Sequence, residues 1–331
     1  MNVLITGGCG FIGSNFVRYM VERYPTYTFI NLDALTYAGN AMNLEDINER
    51  GNYHFVEGNI CDSKLVDSLI QNWKVDFIVN MAAESHVDRS ITEPSIFVQS
   101  NVLGTQVLLE AARRYNVGKF VQVSTDEVYG SLGKEGLFTE ETPLSPNSPY
   151  SASKASGDFL ARSYGETFGL HVNITRCSNN YGPFQYPEKF IPLMITNAFE
   201  GKSLPIYGDG SNVRDWLHVE DHCRAIDAVI HKGQSGEVYN IGGNNEWTNL
   251  NLVKKVVEII GASEELITFV TDRAGHDQRY AIDHTKITKE LGWKPTYTFE
   301  EGLKETISWY YNHDSWWKVL KENPAHVTST S

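Results

Sequence analysis

Asn2-Val3-Leu4-Ile5-Thr6-Gly7-Gly8-Cys9-Gly10-Phe11-Ile12-Gly13 opens the chain, and its reading decides the fold. Residues 2–6 are a short apolar run of strand type, and a helix-like pattern runs over 14–24, up to Pro25. Between them Gly7, Gly10 and Gly13 are spaced G-x-x-G-x-x-G. Glycines there permit a tight turn, close approach of backbone N–H groups to a pyrophosphate, and close helix–strand packing. A glycine triplet alone marks no more than a turn. Here Tyr27-Thr28-Phe29-Ile30-Asn31-Leu32 follows as a second strand and ends at Asp33. An acid at that place completes a dinucleotide fingerprint. Its carboxylate suits ribose hydroxyls and repels a 2′-phosphate, so the cofactor expected is NAD and not NADP.

Outward from this unit the alternation continues. His54-Phe55-Val56 reads as a third strand, with Asp62 as the cap of the next helix, and Asp76-Phe77-Ile78-Val79-Asn80 as a fourth. A long helical pattern over 94–115 precedes a buried strand at 119–124, and a helix over 151–168 precedes a strand at 172–176. The class expected is α/β, a Rossmann-type doubly wound parallel sheet. After about residue 181 Pro183, Pro187, Pro192 and Pro205 break the pattern. Helical runs near 189–200 and 219–231 and a strand at 238–241 remain. The expected division is residues 1–180 for the NAD-binding domain, its sheet completed by later segments, and 181–331 mainly for a smaller substrate-binding domain, with a frayed end at 327–331.

Composition sets outer bounds. The 331 residues carry a formal net charge of −13, with 41% hydrophobic and 21% charged residues. An acidic chain is a poor match for nucleic-acid phosphates. Cys9, Cys61, Cys177 and Cys223 are too scattered for a zinc pattern and read as reduced thiols, so no metal is expected. With no basic leader and no apolar run of membrane-spanning length, the expected location is cytoplasmic, without membrane contact.

The chemistry lies past the fifth strand, in Ser124-Thr125-Asp126-Glu127-Val128-Tyr129-Gly130. In such sheets ligands sit outside the carboxyl ends of the strands, so two hydroxyls and two acids arrive where a substrate would lie. Tyr150-Ser151-Ala152-Ser153-Lys154 adds a phenol and an ammonium four residues apart, on one face of a helix. A free phenol, with a pKa near 10, is a poor base at neutral pH. A neighbouring ammonium and an oxidised nicotinamide both favour its phenolate, so Tyr150 could take a proton from an alcohol as hydride leaves the carbon. Lys154 could also bond the nicotinamide ribose, and Ser124 or Thr125 the alcohol oxygen. A lone Asp-Glu pair in a loop is more often a solvated turn. Beside a dinucleotide fingerprint, Asp126 and Glu127 argue for an elimination as well as an oxidation.

The glycine triplet, Ser124 and Tyr150-x-x-x-Lys154 resemble the extended short-chain dehydrogenase/reductase superfamily. Ser124 to Gly130 is narrower and is similar to the motif of nucleotide-sugar 4,6-dehydratases, above all those acting on dTDP-glucose. Matching segments include Leu35-Thr36-Tyr37-Ala38-Gly39-Asn40, the run from Ala82 to Ser90, Asn179-Asn180-Tyr181-Gly182-Pro183, Arg214-Asp215-Trp216 and Gly275-His276-Asp277. The resemblance implies a hydro-lyase of deoxysugar biosynthesis, such as that of rhamnose. Tyr150 would take the C4 hydroxyl proton as hydride passes to NAD, and Thr125 would hold the C4 oxygen. Glu127 would remove the C5 proton, Asp126 would protonate the departing C6 hydroxyl, and hydride would return to C6. It further implies NAD contacts from Gly7, Gly10, Phe11, Ile12, Gly13, Asp33, Thr36, Asn59, Ile60, Ala82, Ala83, Ser124, Tyr150 and Lys154. Substrate contacts would come from Ser85, His86, Asn180, Lys189, Tyr207, Arg214, Asn249, Arg273 and His276. A homodimer through a four-helix bundle of the 94–115 and 151–168 helices is implied as well. Two departures stand out: Asn59 replaces the family's usual Asp at the adenine, and Gln278 stands where Arg is common. Three other readings stay open: the same reaction on UDP-glucose, a 4-epimerase, which would not need the acidic pair, and a non-catalytic dinucleotide sensor.

Overall fold

The computed structural model describes residues 1–272 and 277–322. The first half alternates as expected. β1 (Asn2–Thr6), α1 (Phe11–Arg23), β2 (Thr28–Asp33), β3 (Tyr53–Glu57), α2 (Ser63–Trp73) and β4 (Phe77–Asn80) come first. Short helices α3 (Val87–Thr92) and α4 (Pro94–Phe97) then lead through a π-helical stretch, Val98–Gly104, into α5 (Thr105–Arg114). β5 (Lys119–Thr125), α6 (Pro149–Phe168) and β6 (Val172–Cys177) follow. The second half holds β7 (Asn179–Tyr181), α7 (Phe190–Phe199), β8 (Leu204–Tyr207), β9 (Val213–His218), α8 (Val219–Lys232) and β10 (Val238–Ile241). It ends with β11 (Glu246–Thr248), α9 (Asn249–Ile260), β12 (Ile267–Val270), α10 (Thr285–Leu291), α11 (Phe299–Asn312) and α12 (Asp314–Glu322).

The main sheet has seven strands in the order β10-β6-β5-β4-β1-β2-β3, all parallel. Its strands are mostly apolar because both faces are covered, with buried polar side chains such as Asn31, Gln122 and Asn173 among them. Successive side chains divide between two cores: Val3 and Ile5 join one with α1 and α8, while Leu4 joins the other with α2, α5 and α6. The strand order reverses between β1 and β4, which leaves a crevice at their carboxyl ends. A third core gathers α7, α9, α11 and α12 around Tyr181, Tyr310 and Trp317. Two small sheets, β11-β9-β7 and β12-β8, stand over the crevice side of the chain's second half.

Local sequence explains most boundaries. Asp62 caps α2 by accepting from Lys64 N and Leu65 N. Ser148 caps α6 in a capping box with Ser151, with Pro149 at the first turn and Gly169 in the left-handed conformation at the end. The helix expected from 94 to 115 is instead interrupted by the π stretch, which turns Asn101 inward. Asn101 is sealed; its amide pairs with Glu84 N and O at 2.9 and 3.0 Å and donates to Ser153 Oγ at 2.8 Å.

Candidate active site

Gly7 has φ +73°, and a Cβ there would lie 2.6 Å from Ala82 N. A Cβ on Gly13 would lie 2.1 Å from Gly7 O. These two glycines let α1 begin directly against β1 and the β4 exit loop. Asp33 sits at the end of β2 with both oxygens engaged: Cys9 N donates to Oδ2 and Leu35 N to Oδ1, each at 2.8 Å. Burial pushes this carboxyl up and the two amides pull it down. The loop thus presents one fixed carboxylate beside a cradle of backbone, which fits a dinucleotide with free ribose hydroxyls.

A cavity of about 560 Å³ runs along the carboxyl ends of β1 to β6. Every described residue expected at the site lines it. At the cofactor end these are Gly7, Gly10, Phe11, Ile12, Gly13, Asp33, Thr36, Asn59, Ile60, Ala82 and Ala83. The middle holds Ser124, Thr125, Asp126, Glu127, Tyr150 and Lys154, and the far end Ser85, His86, Asn180, Lys189, Tyr207, Arg214 and Asn249. Arg273 and His276 lie outside the described residues. So does the 327–331 end. Asn59 is exposed and its Oδ1 accepts from Cys61 N at 2.8 Å, so that acceptor is shared with the backbone. Gln278 is exposed; its backbone N–H donates to Ser131 Oγ at 3.2 Å.

The acidic pair begins a 3₁₀ turn, Asp126–Tyr129, capped by Thr125, whose Oγ1 accepts from Glu127 N at 3.3 Å. Asp126 is 1% exposed. Burial, Glu127 and Asp215 push its carboxyl well above the usual range, against Arg214. Asp126 therefore holds a proton at pH values where an exposed carboxyl is ionised.

Tyr150 and Lys154 both reach the cavity from α6, but the ammonium does not govern the phenol. Lys154 Nζ donates to Val123 O at 2.7 Å. Burial, Glu127 and Cys177 push the Tyr150 phenol well above 10, with the Thr125 hydroxyl opposing them. In the chain alone loss of hydration outweighs the ammonium; the positive charge of an oxidised nicotinamide, the other group expected to favour the phenolate, acts only with the cofactor bound.

At the far end Lys189 Nζ donates to Ser85 O at 3.2 Å, tying two expected substrate residues together. His86 Nε2 lies 3.3 Å from Glu188. Asn180 is held from two sides: its Nδ2 donates to Ser178 O and its Oδ1 lies 2.9 Å from His222 Nδ1. Burial lowers His222 to about 3, so the imidazole is neutral and Nδ1–H is the donor. Arg214 donates to the carbonyls of Val213 and Asp277 and lies 4.5 Å from the Tyr280 ring centroid. Glu84, Glu188, Cys177 and His222 shape this site and were not expected from the sequence. Glu84 and Glu188 flank singled-out residues, which is a signal of position only; Cys177 and His222 carried none.

A family model described as GDP-mannose 4,6 dehydratase matches residues 4–306. A dTDP-glucose 4,6-dehydratase of Streptomyces niveus is 52% identical over 335 residues, covering 100% of this chain and 98% of that one. The crystal structure of a dTDP-glucose 4,6-dehydratase from Bacillus anthracis in complex with NAD is 58% identical, with a TM-score of 0.92 over 97% of this chain and 99% of that one. Another, from Streptomyces venezuelae with NAD bound, is 50% identical, with a TM-score of 0.94 over 97% and 100%. Similarity of this extent, over the elements that carry both the glycine turn and the acidic pair, means that the chain belongs to the dTDP-glucose 4,6-dehydratase family.

Proposed function

We propose that this protein is an NAD-dependent hydro-lyase that converts dTDP-glucose to dTDP-4-keto-6-deoxyglucose and water. The observation that carries the reading is the buried Asp126 beside the half-buried Glu127, at the end of β5 and next to Tyr150. An epimerase has no use for a second proton-handling pair.

NAD, when bound, accepts a hydride from the sugar and returns it, so no net redox occurs. The glycine turn and Asp33 hold the dinucleotide, with Thr36, Asn59, Ile60, Ala82, Ala83 and Ser124 along its length. Tyr150 Oη, as the phenolate that Lys154 and the positive charge of a bound oxidised nicotinamide together favour against its burial, takes the C4 hydroxyl proton, with Thr125 Oγ1 steadying the C4 oxygen. The 4-keto group acidifies C5–H, which Glu127 removes. Asp126, kept protonated by burial and by Glu127, gives its proton to the C6 hydroxyl as water leaves; two neighbouring acids with separated pKa values divide base and acid work in this way. Lys189, Arg214 and Asn180 supply donors to the diphosphate end, with Ser85, His86, Tyr207 and Asn249 toward the sugar and base. Arg273 and His276 complete this set by resemblance. Residues 1–180 serve mainly the cofactor and 181–331 mainly the substrate.

The protein works as a homodimer in this reading. Val98, Leu103 and Phe159 are 56, 49 and 57% exposed on the Val98–Gly104 and α6 helices, an apolar face suited to a four-helix bundle. Among the described residues no helix is long and apolar enough to cross a membrane. A cytoplasmic site of action in deoxysugar synthesis, such as that of rhamnose, follows from the substrate class and is testable by fractionation.

The test is incubation of the purified protein with dTDP-glucose, reading the 4-keto product by its alkali-induced absorbance. Product without net NADH is expected. Stoichiometric NADH would mean a plain dehydrogenase, and turnover of UDP-glucose alone would correct the base.

A further inference from the structure

At the cavity wall and beneath it three charged side chains are more than nine-tenths buried: Lys154, which lines the cavity, at 5% exposure, and behind it Asp158 at 1% and Arg176 at 6%. Lys154 and Asp158 lie one turn apart on the buried face of α6. Arg176 comes from β6, in register with Ser124 of β5. Its Nε donates to Asp158 Oδ2 at 2.9 Å and its Nη1 to Tyr129 Oη at 3.0 Å. Tyr129 in turn donates to Asn240 Oδ1 at 2.8 Å. Asp158 is thus ion-paired with Arg176, while Lys154, one helical turn away and as deeply buried, has its Nζ on the Val123 carbonyl.

Burying an ion without a partner is costly. Arginine cannot shed its proton, whereas a buried lysine readily does. Of the two cations, Lys154 is the one that would lose its charge were the carboxylate absent. We propose that Asp158, clamped by Arg176, is a positioning residue of the active site, whose carboxylate keeps Lys154 a cation aimed along the Val123 carbonyl. The proposal rests on the reading of Tyr150 and Lys154 as working parts of the site.

The surroundings agree. Titratable and charged groups around Lys154 are Asp158 and Tyr150 on its own helix, Arg176 and Cys177 on β6, and Asp126, Glu127 and Tyr129 on the turn after β5. Burial lowers Lys154, and Asp158 is the leading group that opposes this, followed by Cys177. On Asp158 burial acts upward, while Arg176, the Ser124 hydroxyl and Lys154 favour the ionised form. The chemistry on this network is a charge held in place, not a proton passed on.

The experiment is the pH profile of kcat/KM for dTDP-glucose, together with NADH affinity by fluorescence over the same pH range. In Asp158→Asn the alkaline limb of both moves to lower pH by about one unit or more, a roughly tenfold loss above the limb. In Arg176→Met it moves the other way, because Asp158 then serves Lys154 alone. Asp158→Glu stays near wild type, and the double variant Asp158→Asn/Arg176→Met falls between the singles. Opposite shifts from two halves of one ion pair are not produced by a merely structural clasp. Equal losses at every pH with an unmoved limb overturn the proposal. Should Asp158→Asn not fold, an unmoved limb in Arg176→Met overturns it equally. If the wild type does not turn over dTDP-glucose, the proposed function fails instead, and the NADH titration still decides the role of Asp158.

Discussion

Asp126 and Glu127 are adjacent in sequence and unlike in surroundings. The former is sealed and the latter half exposed, and that difference separates acid from base. Glu127→Gln and Asp126→Asn should each lower turnover about 10²–10⁴-fold while leaving C4 oxidation detectable in single-turnover absorbance, the usual worth of one general base or acid. Asp126 also bears on stability. Its carboxyl is raised in the fold, so its contribution is complete at low pH and is lost as pH rises through the raised value. The melting temperature of Asp126→Asn should therefore fall less than that of the wild type as pH rises above the ordinary carboxyl range. The residue types of this pair, and of Tyr150 and Lys154, were legible in the sequence. What acts on each was not, because Cys177 and Asp215, which raise Tyr150 and Asp126, come from segments distant in the chain.

At the scale of elements, the turn between β1 and α1 leaves no room at Gly13, where a methyl group would meet Gly7 O at 2.1 Å. Gly13→Ala should weaken NAD binding by about tenfold or more, measured by calorimetry, since the backbone must shift where the pyrophosphate approaches. The π stretch before α5 is a second device. Asn101→Ala leaves the Glu84 backbone and Ser153 without their partner, at a cost of about 2–3 kcal/mol measurable by urea unfolding. The spacing of 94–115 reads as plain helix because one added residue per turn leaves no mark on composition. A third device joins α1 to α8. Asp227 accepts from Tyr19 Oη at 2.8 Å and Tyr24 Oη at 2.9 Å and pairs with His231 at 2.8 Å and Arg23 at 3.2 Å. His231 is raised, chiefly by its hydrogen bond to Asp227, while Asp227 is lowered by His231 and the two tyrosines against its burial. The His231 share of stability is complete below the ordinary imidazole value and lost as pH climbs through the raised one. The Asp227 share is lost as pH falls through the lowered one. His231→Phe should abolish the alkaline part of this dependence in a series of thermal melts.

For the whole molecule the expected assembly has a direct test. Phe159→Asp should convert a dimer to monomer in sedimentation velocity; unchanged sedimentation would place the contact elsewhere. Assembly of the monomer itself joins distant parts of the chain. Lys119, at the start of β5, is buried and donates to Val229 O, Ile230 O and Gly233 O at 2.8–3.1 Å, closing the end of α8. β10 then returns to pair with β6. By itself the sequence determined most of the alternating half of the fold, the glycine turn, the acid that ends β2, the Asp62 helix cap, and the residue types of the site. Those depend on local spacing: a period of two for strands, 3.6 for helices, and fixed offsets in turns. Tertiary structure alone decided which charges meet. The Asp158–Arg176 pair, the Asn180–His222 contact and the tie of Lys189 to Ser85 span separations of 18, 42 and 104 residues. Their energies depend on distance and burial, and neither is written in the order of residues along a chain.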